Sequence, residues 1–566
     1  MQRNRLVHRV LTLALAGLLV APVLSCNGTE EGGDGGPPKS DGPSTTPDLP
    51  PLPPGLVTHK NAGESAEADF SGGTEEYLVV PYSVSDVAAS AIDFEIKIQS
   101  GGGGADGGIG TSYHKLRWDT RPLKLRNPGL WAYWQRRLAV ERWQRGLAER
   151  AARAKMRAPG ADLDKTLAAC TLSSECGATE VCHEGQCAAT VKIKTGEFSS
   201  TAEINAEVKK KGTLAAILVD SGDTVDQANI DAMLEKFESL IHPCDVGLYD
   251  DPPLKDGEKT LSSDRNGDGI VWLVFTSKVA EQNAVGFFVA TDFDDTNAKS
   301  NKTDILYIDA GITELEKAYS TMAHEFQHLL NFGSKVYKPT VAGGQGSLEA
   351  LWLDEGQAHF AEDACGWGGE NVTLLDQEVF TAFSDGSLLV LDKADDSAAM
   401  RGRAFTFVRW LFEKQGGISY ESDGKITDKG GAALLKSFHK TTKLGIEAVN
   451  EAYADGFKKA FEGWITAVAL DGRGVQGAAA LEFADLVKHP VTGNDTGVVI
   501  RGTRKDESSA DVNLQGPLEE ELSGDKQDTI PNASAKFFLL KGQTGKVTVT
   551  VTTQEADFRF ALIKIK

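Results

Sequence analysis

The amino-acid sequence predicts an α+β protein in which a mixed central region lies between two β segments. Helical and strand patterns alternate from residue 201 to about residue 472, whereas residues 480–566 lose the helical periodicity. Short apolar or alternating runs outside the central region indicate strands, and they are residues 77–80, 94–98, 537–540, 547–551 and 558–565. The last three runs, with turns between them, predict a small C-terminal β-sandwich.

The length of 566 residues allows three or four domains of about 150 residues each. A formal charge of -22 argues against nucleic-acid binding, because the phosphates would be repelled. Changes in composition predict seven segments: a signal peptide (1–25), a disordered tether (26–62), an N-terminal β segment (63–100), a Gly-rich and basic helical insertion (101–164), a Cys-rich module (165–190), the mixed central domain (191–475) and a C-terminal β domain (476–566).

The first residues have the features of an export signal. Arg3, Arg5 and Arg9 precede an uncharged apolar run over residues 10–20. That run is shorter than the roughly 20 residues that cross a bilayer. Residues 23–26 read VLSC and resemble the lipobox of bacterial lipoproteins. The resemblance implies cleavage before Cys26 and acylation of its thiol, while an ordinary secretory signal with an incidental cysteine is the alternative.

The segment after Cys26 favours the lipid anchor. Residues 27–55 are rich in Gly, Pro and Ser and contain few apolar residues, so they predict a tether. Asn27 directly after the cysteine resembles lipoproteins that are sorted to the outer membrane. We therefore expect an exported chain that acylated Cys26 holds on a bacterial membrane, facing the periplasm or the cell surface.

Export makes disulfides permissible, because extracytoplasmic compartments are oxidising. Six of the seven cysteines remain when Cys26 is set aside. Four of them crowd into one short stretch and predict a two-disulfide module, and they are Cys170, Cys176, Cys182 and Cys187. Zinc is the competing interpretation, but the CxxC pairs of most structural zinc sites are missing. Cys244 and Cys365 are then left to pair with each other.

Within the insertion, residues 101–110 are rich in glycine, whereas residues 113–157 are dense in arginine, contain several tryptophans and are mostly compatible with helix after Pro128. They fit a helix on an anionic membrane surface, an insertion packed on a neighbouring domain, or a propeptide cut at Arg136 and Arg137. Residues 191–194 alternate like a strand. One hypothesis pairs them with residues 95–98, which would make the intervening chain an insertion into one hairpin.

One predicted helix carries the reactive chemistry. Thr313 and Glu316 fit a capping box and Gly333 fits a helix stop, so the pattern predicts a helix over about residues 314–332. Apolar side chains such as Leu329 and Leu330 give this helix a side that faces the core.

Three residues within this helix predict a metal site. His324 and His328 are four residues apart and share one helix face, so both can bind one ion. Zinc takes neutral imidazole nitrogen well. Glu325 lies beside them and is expected to act as general base, taking a proton from a metal-activated water and passing it to a leaving amine.

A third ligand is expected downstream. Residues 352–362 read WLDEGQAHFAE and resemble the W-L-N-E-G-x-A-x-[YF]-x-E segment of gluzincin metallopeptidases. The resemblance implies a zincin-like metallopeptidase domain over residues 191–475, with Glu355 as the third zinc ligand. We expect Glu355 to begin a second helix, which Asp354 and Gln357 cap. His359, one helical turn after Glu355, is the rival ligand.

Residues 324–332 read HEFQHLLNF and look most like the hyicolysin-type secreted metallopeptidases among the gluzincins. The resemblance extends more loosely over about residues 200–470. It implies an endopeptidase that acts on proteins or peptides, in which a strand at the edge of the cleft pairs with extended substrate. The GxMEN motif of the related aminopeptidases is missing, which argues against an exopeptidase.

A second metal motif precedes the strand pattern at Ile270. Asp264, Asn266 and Asp268 follow the D-x-N-x-D-G order of calcium loops, whose alternate side chains offer oxygen to a hard cation. Phe275 stands where an EF-hand has its twelfth-position glutamate, so the motif is not an EF-hand. A calcium site and a tight polar turn are both open interpretations.

The sequence leaves the oxyanion stabiliser undecided among Tyr307, Tyr337, His359 and His439. The leading interpretation is a zinc endopeptidase outside the cytoplasm. The alternative is a catalytically inactive, surface-anchored binding lipoprotein that retains the peptidase fold and uses its Cys-rich module and terminal β domain. A zymogen that awaits cleavage of its N-terminal portion is a third hypothesis.

Overall fold

The computed structural model describes residues 55–85, 92–100, 170–255, 257–372, 374–375, 387–389 and 398–566. The predicted signal peptide, Cys26 and the insertion at 101–164 lie outside the described residues. Within the described ranges, no helix is long and apolar enough to span a membrane. The tether was predicted to reach residue 62, but Val57–Asn61 already form a strand.

The architecture is mixed α and β, with several separate sheets. The central sheet has six strands, which are β7 (Thr190–Lys194), β8 (Glu203–Lys211), β9 (Ala215–Asp220), β10 (Val271–Phe275), β11 (Gly286–Phe288) and β12 (Ile305–Ile308). Their spatial order is β11-β12-β10-β9-β8-β7. β9, β10 and β12 run parallel and are wholly buried, as parallel strands covered on both faces must be. β11 pairs antiparallel with β12 and forms one edge.

The described helices pack into a common core that includes one face of the central sheet. They are α1 (Gln227–Lys236), α2 (His242–Tyr249), α3 (Leu315–Phe332), α4 (Lys338–Val341), α5 (Leu351–Ala364), α6 (Ala398–Lys414), α7 (Gly431–Lys440), α8 (Gly445–Ala452) and α9 (Gly456–Leu470). Ile217 and Val219 of β9 share a core with these helices, whereas Ala216 and Leu218 belong to a smaller core on the opposite face. This alternation is the two-residue period of a strand.

The boundaries of the two site helices differ from the predicted ones. α3 begins at Leu315 without a side-chain cap, because Thr313 donates its hydroxyl to the side chain of Glu314 instead. Gly333 does not stop α3, which continues into a π-helical turn over Gly333–Tyr337. A Cβ on Gly333 would lie 2.7 Å from the carbonyl oxygen of Ser262, so glycine is required there by packing.

Helix α5 also begins earlier than predicted, at Leu351 rather than Glu355. Its N-cap is Ala350, which makes no side-chain capping bond. Asp354 therefore lies inside the first turn rather than before the helix.

Strands from both ends of the chain form two further sheets. One has the order β1-β23-β3-β21-β19 and the other β2-β22-β4-β20, with bounds β1 Val57–Asn61, β2 Ser65–Phe70, β3 Tyr77–Ser83, β4 Ile92–Ser100, β19 Glu519–Glu521, β20 Lys526–Ile530, β21 Phe537–Leu540, β22 Gly545–Thr552 and β23 Phe558–Lys564. The two predicted β segments thus share both sheets. Phe94, Phe538 and Phe560 lie in the apolar core between them.

The hypothesis that residues 191–194 pair with residues 95–98 is wrong. Val191 lies opposite Ala206 of β8, whereas Ile96 lies opposite Lys526 of β20 and Val551 of β22. The alternating pattern identified both strands, but alternation carries no information about the partner strand.

The remaining strands form short hairpins, and they are β5 (Val181–His183) with β6 (Gln186–Ala188), β13 (Ile418–Tyr420) with β14 (Ile426–Asp428), β15 (Val487–Lys488) with β16 (Asp495–Thr496), and β17 (Arg501–Lys505) with β18 (Asp511–Gln515). Three disulfides join the six described cysteines, as Cys170–Cys182, Cys176–Cys187 and Cys244–Cys365. The first two hold the β5–β6 hairpin. The third links α2 to the C-terminal end of α5.

Candidate metal centre

Helices α3 and α5 bring three side chains to one point. His324 and His328 lie on the same face of α3, and their Nε2 atoms are 3.2 Å apart. Glu355 approaches from α5, with its Oε2 3.3 Å from Nε2 of His324 and its Oε1 3.8 Å from Nε2 of His328. All three side chains are buried. The four-residue spacing therefore directs two imidazole nitrogens towards one carboxylate.

A further carboxylate lies at the other nitrogen of each imidazole. Oε1 of Glu362 is 2.6 Å from Nδ1 of His324, and Oδ1 of Asp354 is 3.2 Å from Nδ1 of His328. At His324 this contact is a hydrogen bond, which holds the proton on Nδ1 and leaves the Nε2 lone pair for a metal. Both carboxylates come from α5, so one helix supplies a predicted ligand and orients the other two.

A glycine follows Glu355 because α5 and α6 approach each other closely. A Cβ on Gly356 would lie 2.8 Å from the carbonyl oxygen of Ala404 in α6. The approach brings Arg401 of α6 to the site, where its Nη1 lies 2.9 Å from Oε2 of Glu355. Sequence reasoning missed Arg401, because the local pattern of α6 does not distinguish an arginine that faces a carboxylate from one that faces solvent.

His359 belongs to the same buried cluster. Its Nδ1 is 2.7 Å from Oε1 of Glu362, and its Nε2 is 3.3 Å from Nη1 of Arg401. His324, Glu355 and His359 offer ligand atoms that all lie within 4.8 Å of one another. The structure therefore places the rival ligand beside the predicted set, and the two sets share His324 and Glu355.

Negative charge dominates the electrostatics of the cluster. Burial lowers the pKa of His324, but hydrogen bonds to Glu355 and Glu362 outweigh it and raise that pKa to about 10. Burial raises the pKa of Glu362, yet the neighbouring His359 and His324 bring it down to about 2. Arg401 and the two histidines hold the pKa of Glu355 well below its usual range, again against burial. The carboxylates thus favour positive charge at His324, and a divalent cation bound there would balance the same negative charge. The donor set fits zinc.

Glu325 is held by the edge strand of the central sheet. Its Oε2 accepts a hydrogen bond of 2.8 Å from the backbone N–H of Phe288 in β11. β11 lies tight against α3, since a Cβ on Gly286 would be 2.4 Å from Cγ2 of Thr321 and 3.3 Å from Cγ of Glu325. Glycine at 286 therefore allows the strand to reach the proposed base.

Three of the four oxyanion candidates have other partners. Tyr307 donates its hydroxyl to Oδ2 of Asp292 at 2.7 Å. The ring of Tyr337 packs edge-on against Phe293, and His439 stacks on Tyr249. Within this candidate set, His359 lies beside the predicted zinc ligands, with its ring centroid 4.6 Å from that of His324.

The predicted calcium ligands lie in the turn before β10. Oδ1 of Asp264 accepts the N–H of Gly267 at 2.7 Å, and Oδ1 of Asn266 accepts the N–H of Asp268 at 3.1 Å. Oδ1 of Asp268 accepts the N–H of Ile270 at 3.1 Å. The polar turn is thus present, closed by hydrogen bonds from backbone N–H groups to the three side chains.

No protein-family model matches the chain. The neutral metalloprotease ShpI of Staphylococcus hyicus is 31% identical over 189 residues, a match that spans 31% of this chain and 38% of that protein. The chain thus spans less than half the length of the curated relative that it matches. This distant similarity, together with the buried His-Glu-His group, supports a relationship to metallopeptidases and a metal at the site.

Proposed function

We propose that the chain is a zinc-dependent endopeptidase that hydrolyses peptide bonds outside the cytoplasm. The carrying observation is the arrangement of His324 and His328, whose Nε2 atoms converge beside Glu355 while each Nδ1 faces a carboxylate. Two imidazoles and one carboxylate are the donor set of hydrolytic zinc sites rather than structural ones. The similarity to a neutral metalloprotease supports the same class of reaction.

In this proposal His324, His328 and Glu355 hold the ion, which when bound supplies Lewis acidity and lowers the pKa of a water to about 7. Glu325 takes a proton from the attacking water and delivers it to the leaving amine. Because the Phe288 N–H occupies Oε2 of Glu325, Oε1 is the oxygen left for that proton. Arg401 stands beside Glu355 and is placed to donate a hydrogen bond to the developing oxyanion, while its contact with Nε2 of His359 positions the guanidinium.

Strand β11 offers a surface for an extended substrate. It ends the central sheet, and no described strand pairs with its outer side. The Phe288 N–H on that side already points at Glu325, so a peptide added to this edge would pass the proposed base. Pairing through main-chain hydrogen bonds suits cleavage that tolerates many sequences.

The location rests on the cysteines and the N-terminal sequence. Three disulfides among the described residues support an oxidising compartment outside the cytoplasm. The VLSC sequence at residues 23–26 supports acylation of Cys26. Incorporation of labelled palmitate into the full chain, but not into a Cys26→Ala variant, is the expected result, and equal labelling of both would contradict the anchor.

The test of the function uses the full chain, purified in detergent, with casein as substrate. We expect cleavage that a zinc chelator abolishes and that added zinc restores. A chain that binds zinc with its N-terminal region already processed, and still leaves casein intact, would contradict the peptidase and favour the binding lipoprotein.

A further inference from the structure

A group of carboxylates lies around the turn at residues 264–269, apart from the proposed zinc ligands. Asp251, Asp268 and Asp304 are buried, and Asp304 is fully so, with 0% of its surface exposed. Asp264 is half-buried beside them. Burying carboxylates together is unfavourable, because each loses hydration and repels the others. A positive charge close to these four carboxylates would therefore be stabilising.

Lys211 and His183 lie close enough to Asp268 to interact with it electrostatically, but among the described residues neither forms an ion pair with it. No lysine, arginine or histidine in the described ranges forms a salt bridge with Asp251, Asp264, Asp268 or Asp304. Arg265 lies within the turn, but its guanidinium pairs with Asp295 and donates from Nε to the carbonyl oxygen of Phe293 at 3.1 Å. The cation nearest in the chain is therefore committed elsewhere.

Asp304 provides a second, independent observation. Its Oδ1 accepts the backbone N–H of Arg265 at 3.0 Å, so the carboxylate faces the turn. Its Oδ2 is buried and has no hydrogen-bond partner among the described residues. Burial and the charges of Asp264 and Asp268 raise the pKa of Asp304 well above its usual range. An orphaned buried carboxylate oxygen beside other carboxylates is the feature that a bound cation explains.

We propose that Asp264, Asn266, Asp268 and Asp304 bind a calcium ion. Calcium takes six to eight oxygen ligands from carboxylates, amide carbonyls, backbone carbonyls and water, and these side chains are all oxygen donors. The alternation of Asp264, Asn266 and Asp268 offers three oxygens from one turn. Asp304 adds a fourth oxygen from the residue before β12, which fixes the turn to the central sheet.

The site also attaches the Cys-rich module. Oδ2 of Asp268 accepts the hydroxyl of Ser173 at 2.7 Å, and the backbone oxygen of Asp268 accepts the N–H of Ser173 at 3.0 Å. The same hydroxyl accepts the N–H of Cys182 at 2.8 Å. A cation that orders Asp268 therefore strengthens the contact between the disulfide module and the central sheet, independently of peptidase activity.

Terbium luminescence tests binding directly on the full chain. The indole Nε1 of Trp272 donates to Oδ2 of Asp268 at 3.1 Å, so this tryptophan is placed to sensitise a terbium ion at the site. We expect tryptophan-excited terbium emission that calcium displaces. Emission should persist in Glu355→Gln, which alters the proposed zinc site, and should fall at least about tenfold in Asp304→Asn. Emission that is absent from the wild-type chain, or unchanged in Asp304→Asn, would overturn the proposal.

Thermal unfolding of the same proteins distinguishes a variant that has lost calcium binding from a variant that is misfolded. Calcium should raise the Tm of the wild-type chain by about 3 °C and leave that of Asp304→Asn unchanged. Without calcium, Asp304→Asn should unfold at or above the wild-type Tm, because the amide removes a buried charge and can still accept the Arg265 N–H. Glu258→Gln, an exposed change in a nearby loop, should respond to calcium like wild type. An equal calcium response in Asp304→Asn and wild type would contradict the site.

Discussion

Glu362 and His324 form the contact that ties helix α5 to helix α3 at the proposed metal centre. Oε1 of the glutamate lies 2.6 Å from Nδ1 of the histidine, and Oε2 accepts the hydroxyl of Ser320 at 2.7 Å. Both partners lie on α3, so the carboxylate is fixed by the helix whose histidine it orients. The ring of His324 is thereby held in place before any ion binds.

Glu362→Gln should weaken zinc binding and casein hydrolysis by about 10- to 100-fold, because the amide keeps the shape but loses the charge that supports His324. Zinc titration and initial rates measure the two effects. Glu447→Gln is the matched control, since Glu447 is an exposed residue of α8 whose carboxylate pairs with the exposed Lys443. Wild-type zinc affinity in Glu362→Gln would contradict the orienting role.

Glu355→Gln and His359→Gln distinguish the two ligand sets. We expect zinc affinity in Glu355→Gln to fall by more than the roughly 100-fold that loss of a supporting carboxylate costs. His359→Gln should still hold zinc, because both ring nitrogens of His359 already face other groups, Glu362 and Arg401. Zinc bound to Glu355→Gln and lost from His359→Gln would make His359 the ligand instead.

Gly286→Ala should lower kcat by about 10- to 100-fold while zinc content stays at the wild-type level. The added methyl group would clash with Thr321 and press on Glu325, moving the proposed base rather than the metal ligands. Gly524→Ala is the control, because a Cβ there meets nothing within 4 Å. A wild-type kcat in Gly286→Ala would show that the close approach of β11 has no part in catalysis.

Removal of the Cys244–Cys365 disulfide should destabilise the chain more than removal of Cys176–Cys187. The two bonds join residues 121 and 11 positions apart. Loop entropy then gives stabilisations of about 5 and about 3 kcal/mol, respectively. Thermal unfolding of the two double Cys→Ala variants measures the difference. A smaller loss of Tm for Cys244→Ala/Cys365→Ala would contradict the expectation.

The residues of the candidate site could be predicted where they lie close together in the sequence. His324 and His328 are four residues apart, and this spacing places two side chains on the same face of any α-helix. The contact of Asp354 with His328 could not be predicted, since the boundary of α5 was placed four residues too late. Arg401 and the N–H of Phe288 reach the site through packing and sheet register, which no local pattern encodes.

In the fold, likewise, the strands could be predicted from local sequence but their pairing could not. Strand-forming runs near both termini were identified, yet β4 pairs with strands more than 400 residues away. The pairing depends on which apolar faces meet in the core between the two sheets, as Phe94 and Phe538 do. Residue periodicity fixes which side of a strand is buried, and it leaves the partner undetermined.

Zinc content and casein hydrolysis, measured side by side on the full chain and on Glu325→Gln, test the proposed function most directly. We predict one zinc per chain in both proteins and a loss of hydrolysis of about 10²- to 10⁴-fold in the variant, because Glu325 moves the proton but does not hold the ion. A Glu325→Gln variant that cleaves casein at the wild-type rate, or a wild-type chain that binds no zinc, would contradict the proposed function.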